Sequence, residues 1–273
     1  MPELSGSVIV ITGAVRGIGR CCAEAMAQKG ARLAIVDLDA DAAKACAGEL
    51  SCEAQGFGLD IRDADAFRSC ISAVESTLGS IQVLVNNAGV MHVGPLDTLS
   101  ADVEHRMVQT NLLGILNGVH AVRPSMRTQG GGLIVNLASL VARIPLPYTA
   151  AYSATKAGVA GLTEALRHEL HDEGIRFMGV YPGYVRTELT SGVPLPRFPR
   201  AVTPEQVAAG LVRGIEKGRA SVYVPASGRY MSLLRPVLPF RITRFIGGLT
   251  GTMELFNQID EKERAHYRTR TGR

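Results

Sequence analysis

Tyr152 and Lys156 stand four residues apart in Tyr-Ser-Ala-Thr-Lys. The surrounding stretch, 150–170, carries Val159, Leu162, Leu166 and Leu170 at the intervals of one helical face. On a helix, positions i and i+4 are neighbours one turn apart, so backbone geometry alone sets the phenol beside the ammonium. A phenol with its ordinary pKa of ~10 is a poor base at neutral pH. A cation beside it favours the phenolate and lowers that value. So tuned, the group takes a proton from an alcohol or returns one to a ketone. A surface Tyr and Lys on an ordinary helix share the same spacing, so the meaning of the pair depends on what the rest of the chain brings to it.

The elements that must position this pair are legible as alternating strands and helices. Residues 7–12 form a short Val/Ile run that ends in Gly13-Ala14-Val15-Arg16-Gly17-Ile18-Gly19. A helix over 21–29 and a buried strand over 31–36 follow, completing a βαβ unit. The glycines permit positive φ and close approach of a ligand to the backbone. The helix behind them offers unpaired N–H groups to a phosphate. The spacing is G-x-x-x-G-x-G, not the G-x-G-x-x-G of the common dinucleotide fingerprint. Asp37 closes the second strand about 20 residues on, where an acid binds the ribose 2′-OH of NAD and repels a 2′-phosphate. Arg16, inside the loop, is the contrary sign, since a cation there suits a 2′-phosphate. NAD is therefore expected over NADP.

Further strands are expected at 53–59, 81–85, 133–137, 174–180 and 221–224. Helices are expected at 40–50 and 64–78, as one long helix over 100–128, and from Thr203-Pro204-Glu205, an N-cap threonine with proline at N1. Asn86-Asn87-Ala88-Gly89 and Ser139 fall at carboxyl ends of strands, where doubly wound sheets hold ligands. Asn111 lies inside the long helix, where Asn is a mediocre former, so a buried side-chain role is expected. No repeat or linker divides the 273 residues. The expectation is α/β: a single-domain doubly wound parallel sheet of seven strands with helices on both faces.

Composition narrows the function classes. Hydrophobic residues make up 46% of the chain, enough for a sheet buried on both sides. No apolar run reaches the length of a spanning helix, and the N-terminus lacks a basic region before an apolar core, so a cytoplasmic protein is expected. Cys21, Cys22, Cys46, Cys52 and Cys70 include no C-x-x-C pair, which argues against a zinc site or disulfide framework. The net charge of +4 is uneven. Residues 229–273 hold nine Lys/Arg and four Asp/Glu, leaving 20 and 21 for residues 1–228. That near-neutral body excludes a nucleic-acid-binding domain.

Taken together, Thr12-Gly13-x-x-x-Gly17-Ile18-Gly19, Asp60, Asn86-Asn87-Ala88-Gly89, Asn111, Ser139, Tyr152-x-x-x-Lys156 and Pro182-Gly183 with Thr187 resemble the short-chain dehydrogenase/reductase family in order and interval. The resemblance runs from about Val8 to Val224 and implies a Rossmann fold over residues 1–228. It implies Tyr152 as acid/base, Lys156 lowering its pKa and binding the nicotinamide ribose, Ser139 on the substrate oxygen, and Asn111 holding a water in a proton relay. Gly13, Arg16, Gly17, Ile18 and Gly19 would form the dinucleotide loop, with Asp37 on the ribose. Asp60 and Ile61 would meet the adenine, and Asn87, Ala88 and Gly89 would line the adenosine side. Pro182, Gly183, Val185 and Thr187 would lie along the nicotinamide. The implied reaction is hydride transfer between nicotinamide and a carbinol or carbonyl carbon. An NADPH-dependent ketoreductase, including one for 3-ketoacyl groups, and a non-catalytic dinucleotide sensor are the alternatives. The resemblance also suggests a homodimer or homotetramer through the long helix after Ser100 and the Tyr152 helix.

The segments flanking this expected site, 91–93, 140–148 and 184–198, are mostly apolar, with Arg143, Arg186 and Arg197 as exceptions. They predict a hydrophobic substrate of steroid, retinoid, terpenoid or fatty type, since a polyol pocket needs several convergent polar groups. In the extension 229–273, the part over 229–248 interleaves Arg229, Arg235, Arg241 and Arg244 with large apolar residues and no acid. Pro236 and Pro239 forbid one continuous helix there. The pattern suits a lid, a subunit contact or a segment laid on a membrane surface.

Overall fold

The computed structural model describes residues 3–198 and 200–271; Met1, Pro2, Pro199, Gly272 and Arg273 lie outside the described residues. Strands β1 (Val8–Thr12), β2 (Arg32–Asp37), β3 (Ala54–Gly58), β4 (Ile81–Asn86), β5 (Gly132–Leu137), β6 (Ile175–Pro182) and β7 (Ser221–Val224) form one parallel sheet in the order β3-β2-β1-β4-β5-β6-β7. All seven expected strands are present. Strand β1 is buried at every position because helices cover both faces. On one side Ile9, Ile11, Leu33, Ile35 and Val83 pack with Cys22 and Met26 of α1 (Gly17–Ala27), Ala43 of α2 (Ala40–Gly48) and Leu211 of α7 (Pro204–Glu216). On the other, Val8, Val10 and Leu84 pack with Phe67 and Ile71 of α3 (Ala64–Leu78) and Val119 and Val122 of α5 (Gly114–Thr128). Successive strand residues point to opposite faces, so each strand feeds both cores.

The order of strands reverses between β1 and β4, and this switch point opens a crevice at their carboxyl ends. The glycine loop leaves β1 there, and the Asn-Asn-Ala-Gly turn leaves β4 beside it. Helix α6 (Ala150–Glu169) carries Tyr152 and Lys156.

Two elements differ from expectation. The single helix over 100–128 is two, α4 (Ala101–Val108) and α5, joined by a wide π-turn over Gln109–Leu113 in which Gly114 N donates to Gln109 O. The extra residue in that turn brings the Asn111 amide onto the backbone of Val90, a gain that propensity alone does not show. The extension folds as α8 (Gly228–Leu234), α9 (Phe240–Thr250) and α10 (Glu261–Thr271). The break around Pro236 and Pro239 falls where expected, but α10 has no counterpart in the sequence reading. Among the described residues no helix is long and apolar enough to cross a membrane. The five cysteines are free thiols, with Cys22, Cys46 and Cys70 buried.

Candidate active site

A cleft of about 1240 Å3 runs along the carboxyl ends of the strands. One end is lined by Gly13, Arg16, Gly17, Ile18, Asp37, Asp60, Ile61, Asn87, Ala88 and Gly89. Gly13 has φ +64°, and a Cβ there would lie 2.8 Å from Ala88 Cα, so only glycine lets the two loops touch. Thr12 holds them together: its Oγ1 accepts from Asn87 N and Ala88 N, each at 3.1 Å. Asn87 Nδ2 returns hydrogen bonds to Thr12 O and Gly13 O, both 2.9 Å. The side chain of Asn87 therefore braces the glycine loop rather than reaching across the cleft. Gly19 does not line the cleft. It sits behind the loop, where a Cβ would strike Gly13 O and Asn87 Nδ2, so its task is close packing of helix on turn.

No side chain caps the N-terminus of α1. Its first-turn N–H groups lie uncapped beside the cleft, which together with the glycine cradle fits a dinucleotide pyrophosphate. Asp37 and Leu38 border the same end, as a ribose-binding acid requires. Arg16 differs from expectation, because its Nη1 lies 3.1 Å from Glu188 Oε2. Arg270 Nε meets the other oxygen of Glu188 at 3.0 Å. Burial pushes the Glu188 carboxyl up, but hydrogen bonds from the two guanidiniums outweigh it and hold the group below the usual carboxylate range. Asp60 is held low by its hydrogen bonds with Arg62, at 2.9 Å from Nε to Oδ1, against a smaller effect of burial.

Midway along the cleft stand Ser139, Tyr152 and Lys156. Lys156 Nζ lies 5.8 Å from the centre of the Tyr152 ring, the one-turn pairing that the spacing predicts. Nζ donates to Leu137 O at 2.7 Å, which aims the ammonium at the end of β5. Burial pulls the Lys156 pKa down to about 8. The phenol moves opposite to expectation. Burial pushes the Tyr152 hydroxyl up, the neighbouring Tyr267 adds to this, and a hydrogen bond with Ser139 works against it. Desolvation of the phenolate thus outweighs the cation one turn away. Ser139 Oγ donates to Pro182 O at 3.4 Å and accepts from Val141 N at 3.3 Å, so its hydroxyl is anchored at the cleft wall.

Asn111 is fully buried and its side chain lies behind that wall. Its Oδ1 accepts from Val90 N at 2.8 Å, while Nδ2 donates to Val90 O at 2.8 Å and to Thr155 Oγ1 at 3.2 Å. These bonds use both amide hydrogens and one lone pair of Oδ1. They fix the backbone at Gly89, where a Cβ would lie 3.7 Å from Lys156 Nζ.

The other end of the cleft is mostly apolar. Met91, Leu140, Val141, Ile144, Leu146, Tyr148, Tyr184, Leu189 and Phe198 line it, as the flanking segments predicted, with Pro182, Gly183, Val185 and Thr187 along its floor. Arg143, Arg186 and Arg197 do not line it; Arg143 turns to Glu164 at 3.5 Å and over the Tyr181 ring at 5.6 Å. The extension supplies Met231, Leu234, Leu238, Phe240, Ile246, Leu255, Phe256 and Tyr267, and with them the polar Arg235, Thr243, Arg244, Thr250, Thr252 and Glu254.

Helix α10 is lashed to the loop after β6 and to the turn after β4. Arg264, fully buried, donates from Nη2 to Met91 O at 2.6 Å and from Nη1 to Ser191 O at 2.9 Å and Leu189 O at 3.3 Å. Tyr267 Oη accepts from Met91 N at 2.7 Å, and its ring lies 5.0 Å from the Arg264 guanidinium. The sequence signal for this helix was available: Arg264, Tyr267 and Thr271 recur at i, i+3 and i+7 after the apolar pair Leu255-Phe256. Its strongly polar composition concealed it. No group of residues suited to holding a metal ion occurs among the described residues.

A family model described as short chain dehydrogenase matches residues 7–195. The chain belongs to the short-chain dehydrogenase family. This short-chain dehydrogenase is 40% identical over 190 residues to D-threitol dehydrogenase of Mycolicibacterium smegmatis, covering 68% of this chain and 73% of that one. It is 32% identical over 210 residues to 3-alpha-(or 20-beta)-hydroxysteroid dehydrogenase of Mycobacterium tuberculosis, covering 76% and 81%. A short-chain dehydrogenase/reductase from Burkholderia phymatum, solved in complex with NAD, superposes with a TM-score of 0.76 at 25% identity, over 86% of this short-chain dehydrogenase and 94% of that chain. The protein is thus an oxidoreductase with the Rossmann fold of its family.

Proposed function

We propose that the protein is an NAD-dependent dehydrogenase that interconverts a secondary alcohol and a ketone on a lipophilic substrate. The observation that carries this reading is one cleft with a glycine-lined polar end, Tyr152 and Lys156 at its middle, and a mostly apolar end. Single small-molecule pockets run to roughly 300–1,000 Å3, so about 1240 Å3 accommodates a dinucleotide and a sizeable substrate together. A bound nicotinamide supplies the hydride chemistry. Tyr152 moves the proton at the substrate oxygen. Ser139 turns its hydroxyl from the long 3.4 Å contact with Pro182 O to donate a hydrogen bond to that oxygen where charge develops. Lys156 places its positive charge where it offsets the burial that keeps the phenol protonated. Asn111 positions Gly89 and Lys156. Asp37 favours NAD, and the engagement of Arg16 by Glu188 removes the cation that a 2′-phosphate needs.

The hydroxysteroid relative supports the lipophilic reading and the threitol relative supports a small polyol. The larger share of apolar residues in the lining favours the former, although Thr243, Thr250, Thr252 and Glu254 of the extension also reach the cleft. Exposed Val108 and Leu113 on the outer side of α4 and α5 support a subunit contact there. The test is a panel of androsterone, menthol, cyclohexanol and threitol, each run with NAD and with NADP. The expected result is a kcat/KM that rises with substrate lipophilicity and is higher with NAD. Threitol as the best substrate overturns the substrate class, and NADP as the better cofactor overturns the cofactor.

A further inference from the structure

Helix α9 is amphipathic in the wrong sense for a helix that closes a pocket. Thr243, Gly247 and Thr250, spaced i, i+4 and i+7, line the cleft. Ile242, Phe245 and Leu249, spaced i, i+3 and i+7, face outward, and Phe245 and Leu249 are each 67% exposed. Leu233 of α8, Val237 in the bend and Phe240 at the start of α9 extend the patch, with Val237 at 74% and Phe240 at 71% exposed. Contiguous apolar surface of this kind marks a contact with a partner or a membrane.

Charge distinguishes the two. From Arg229 to Met253 the chain holds Arg229, Arg235, Arg241 and Arg244 and not one Asp or Glu. Subtracting these four from the whole chain leaves 25 basic and 25 acidic residues, so the net charge of +4 is that of this segment. Arg229, Arg241 and Arg244 are exposed, and none of them takes part in an ion pair among the described residues. Arg241 and Arg244 border a shallow open depression with Phe245 and Leu249. An isologous contact with a second copy would set arginine against arginine with no carboxylate to meet it. An anionic bilayer surface meets both features, taking the apolar stripe into its interface and the arginines at its headgroups.

The same two helices form the rim of the cleft, through Met231, Leu234, Leu238, Phe240 and Ile246. We propose that α8 and α9 seat the enzyme on an anionic phospholipid surface with the mouth of the substrate cleft turned to the lipid, so that a lipophilic alcohol enters from the bilayer. The entry route rests on the lipophilic substrate class proposed above; the docking does not.

The test is flotation of the full-length enzyme with vesicles of mixed phosphatidylcholine and phosphatidylglycerol, and with vesicles of phosphatidylcholine alone. The enzyme is expected to float with the mixed vesicles and to be released by high salt. A variant with Arg241→Glu, Phe245→Ser and Leu249→Ser, none of which lines the cleft, is expected to lose flotation, at least about fivefold from the charge alone. It should oxidise dissolved cyclohexanol at the parent rate, which reports an intact fold. Androsterone carried in mixed vesicles should be oxidised faster by the parent than by the variant. Failure to float on mixed vesicles while oxidising androsterone overturns the docking and leaves the substrate class standing. Flotation without turnover of any lipophilic alcohol overturns the substrate class and leaves the docking standing. A parent dimer that the variant converts to a monomer, without vesicle binding, assigns the face to a subunit contact and overturns the proposal.

Discussion

The cleft has two walls built on different principles. The inner wall is the carboxyl edge of the sheet with the π-turn and α6 behind it: its polar groups are each fixed by another fixed group, as Asn87 is by Thr12 and Gly13, Asn111 by Val90, and Lys156 by Leu137 O. The outer wall is the C-terminal extension, where α10 is held by the buried Arg264 and α8 and α9 leave their apolar side chains in the open. Rigid elements suit the atoms that must be placed for proton transfer, and surface elements suit the choice and admission of a substrate. The difference teaches that changes to the inner wall should scale every substrate alike, whereas changes to the outer wall should separate one substrate from another.

The largest effect expected is that of Tyr152→Phe. Removing the proton carrier should lower kcat by about 10²–10⁴-fold, the usual worth of a positioned acid/base. The loss should be the same for androsterone and cyclohexanol, with NAD affinity, read by fluorescence titration, unchanged. Unequal losses would mean that Tyr152 also selects the substrate, and the division between the walls would blur.

Next comes Arg264→Met. It leaves Met91 O, Leu189 O and Ser191 O without their donor, and each buried unsatisfied carbonyl costs about 1–3 kcal/mol. A fall of several degrees in Tm is expected, at roughly 2–4 °C per kcal/mol for a chain near this size. The kinetic reading is the sharper one. The KM for androsterone should rise more than that for cyclohexanol, and Arg264→Lys should recover only part of either effect, since an ammonium lacks the planar fork. Equal changes in both KM values would reduce α10 to a structural strap.

The inner wall was legible in the sequence and much of the outer wall was not. Glycine at 13 and 17 and Tyr152 with Lys156 declare themselves because few residue types do those jobs. The strands declare themselves because two-sided burial demands continuous apolar runs. What the sequence hid depends on tertiary satisfaction of polar groups. Arg264 falls in a stretch where no element was expected, yet it is fully buried and donates to three backbone carbonyls. Asn111 reads as a site residue, but its bonds to the backbone of Val90 could not be read from spacing. Arg16 reads as a free cation beside the glycine loop, yet it meets an acid 172 residues away. The upward push on Tyr152 was also invisible, since spacing reports the neighbouring lysine but not the depth of burial.

Lys156 offers a test of the inner wall that needs no substrate. Its folded pKa of about 8 lies below the 10.5 of a free lysine. Between these values the unfolded chain binds more protons than the folded one, so stability rises with pH across that window. Below it the full cost of burying an ammonium is present. Each pH unit crossed is worth up to ~1.4 kcal/mol. Lys156→Met removes this group's contribution, so the parent should gain Tm relative to the variant as pH rises from ~7 to ~9.5. A difference in Tm that stays constant with pH would show that burial does not depress this amine.

The smallest effect is expected where the two walls meet. Glu188 lies between Arg16 of the glycine loop and Arg270 of α10, and so ties the cofactor end to the extension. Both pairs are partly exposed, with Glu188 itself 29% accessible, so each is worth only about 0.2–1 kcal/mol. Glu188→Gln frees Arg16 to face a 2′-phosphate while Asp37 still opposes one. The ratio of kcat/KM for NADP to that for NAD should therefore rise, but by no more than about fivefold. Because Arg264 and Tyr267 keep α10 in place, the KM for androsterone should hardly move. A substrate effect as large as the cofactor effect would mean that the walls communicate through Glu188, and that the extension senses the cofactor as well as admitting the substrate. No change in cofactor ratio would place Arg16 out of reach of the ribose and leave NAD preference to Asp37 alone.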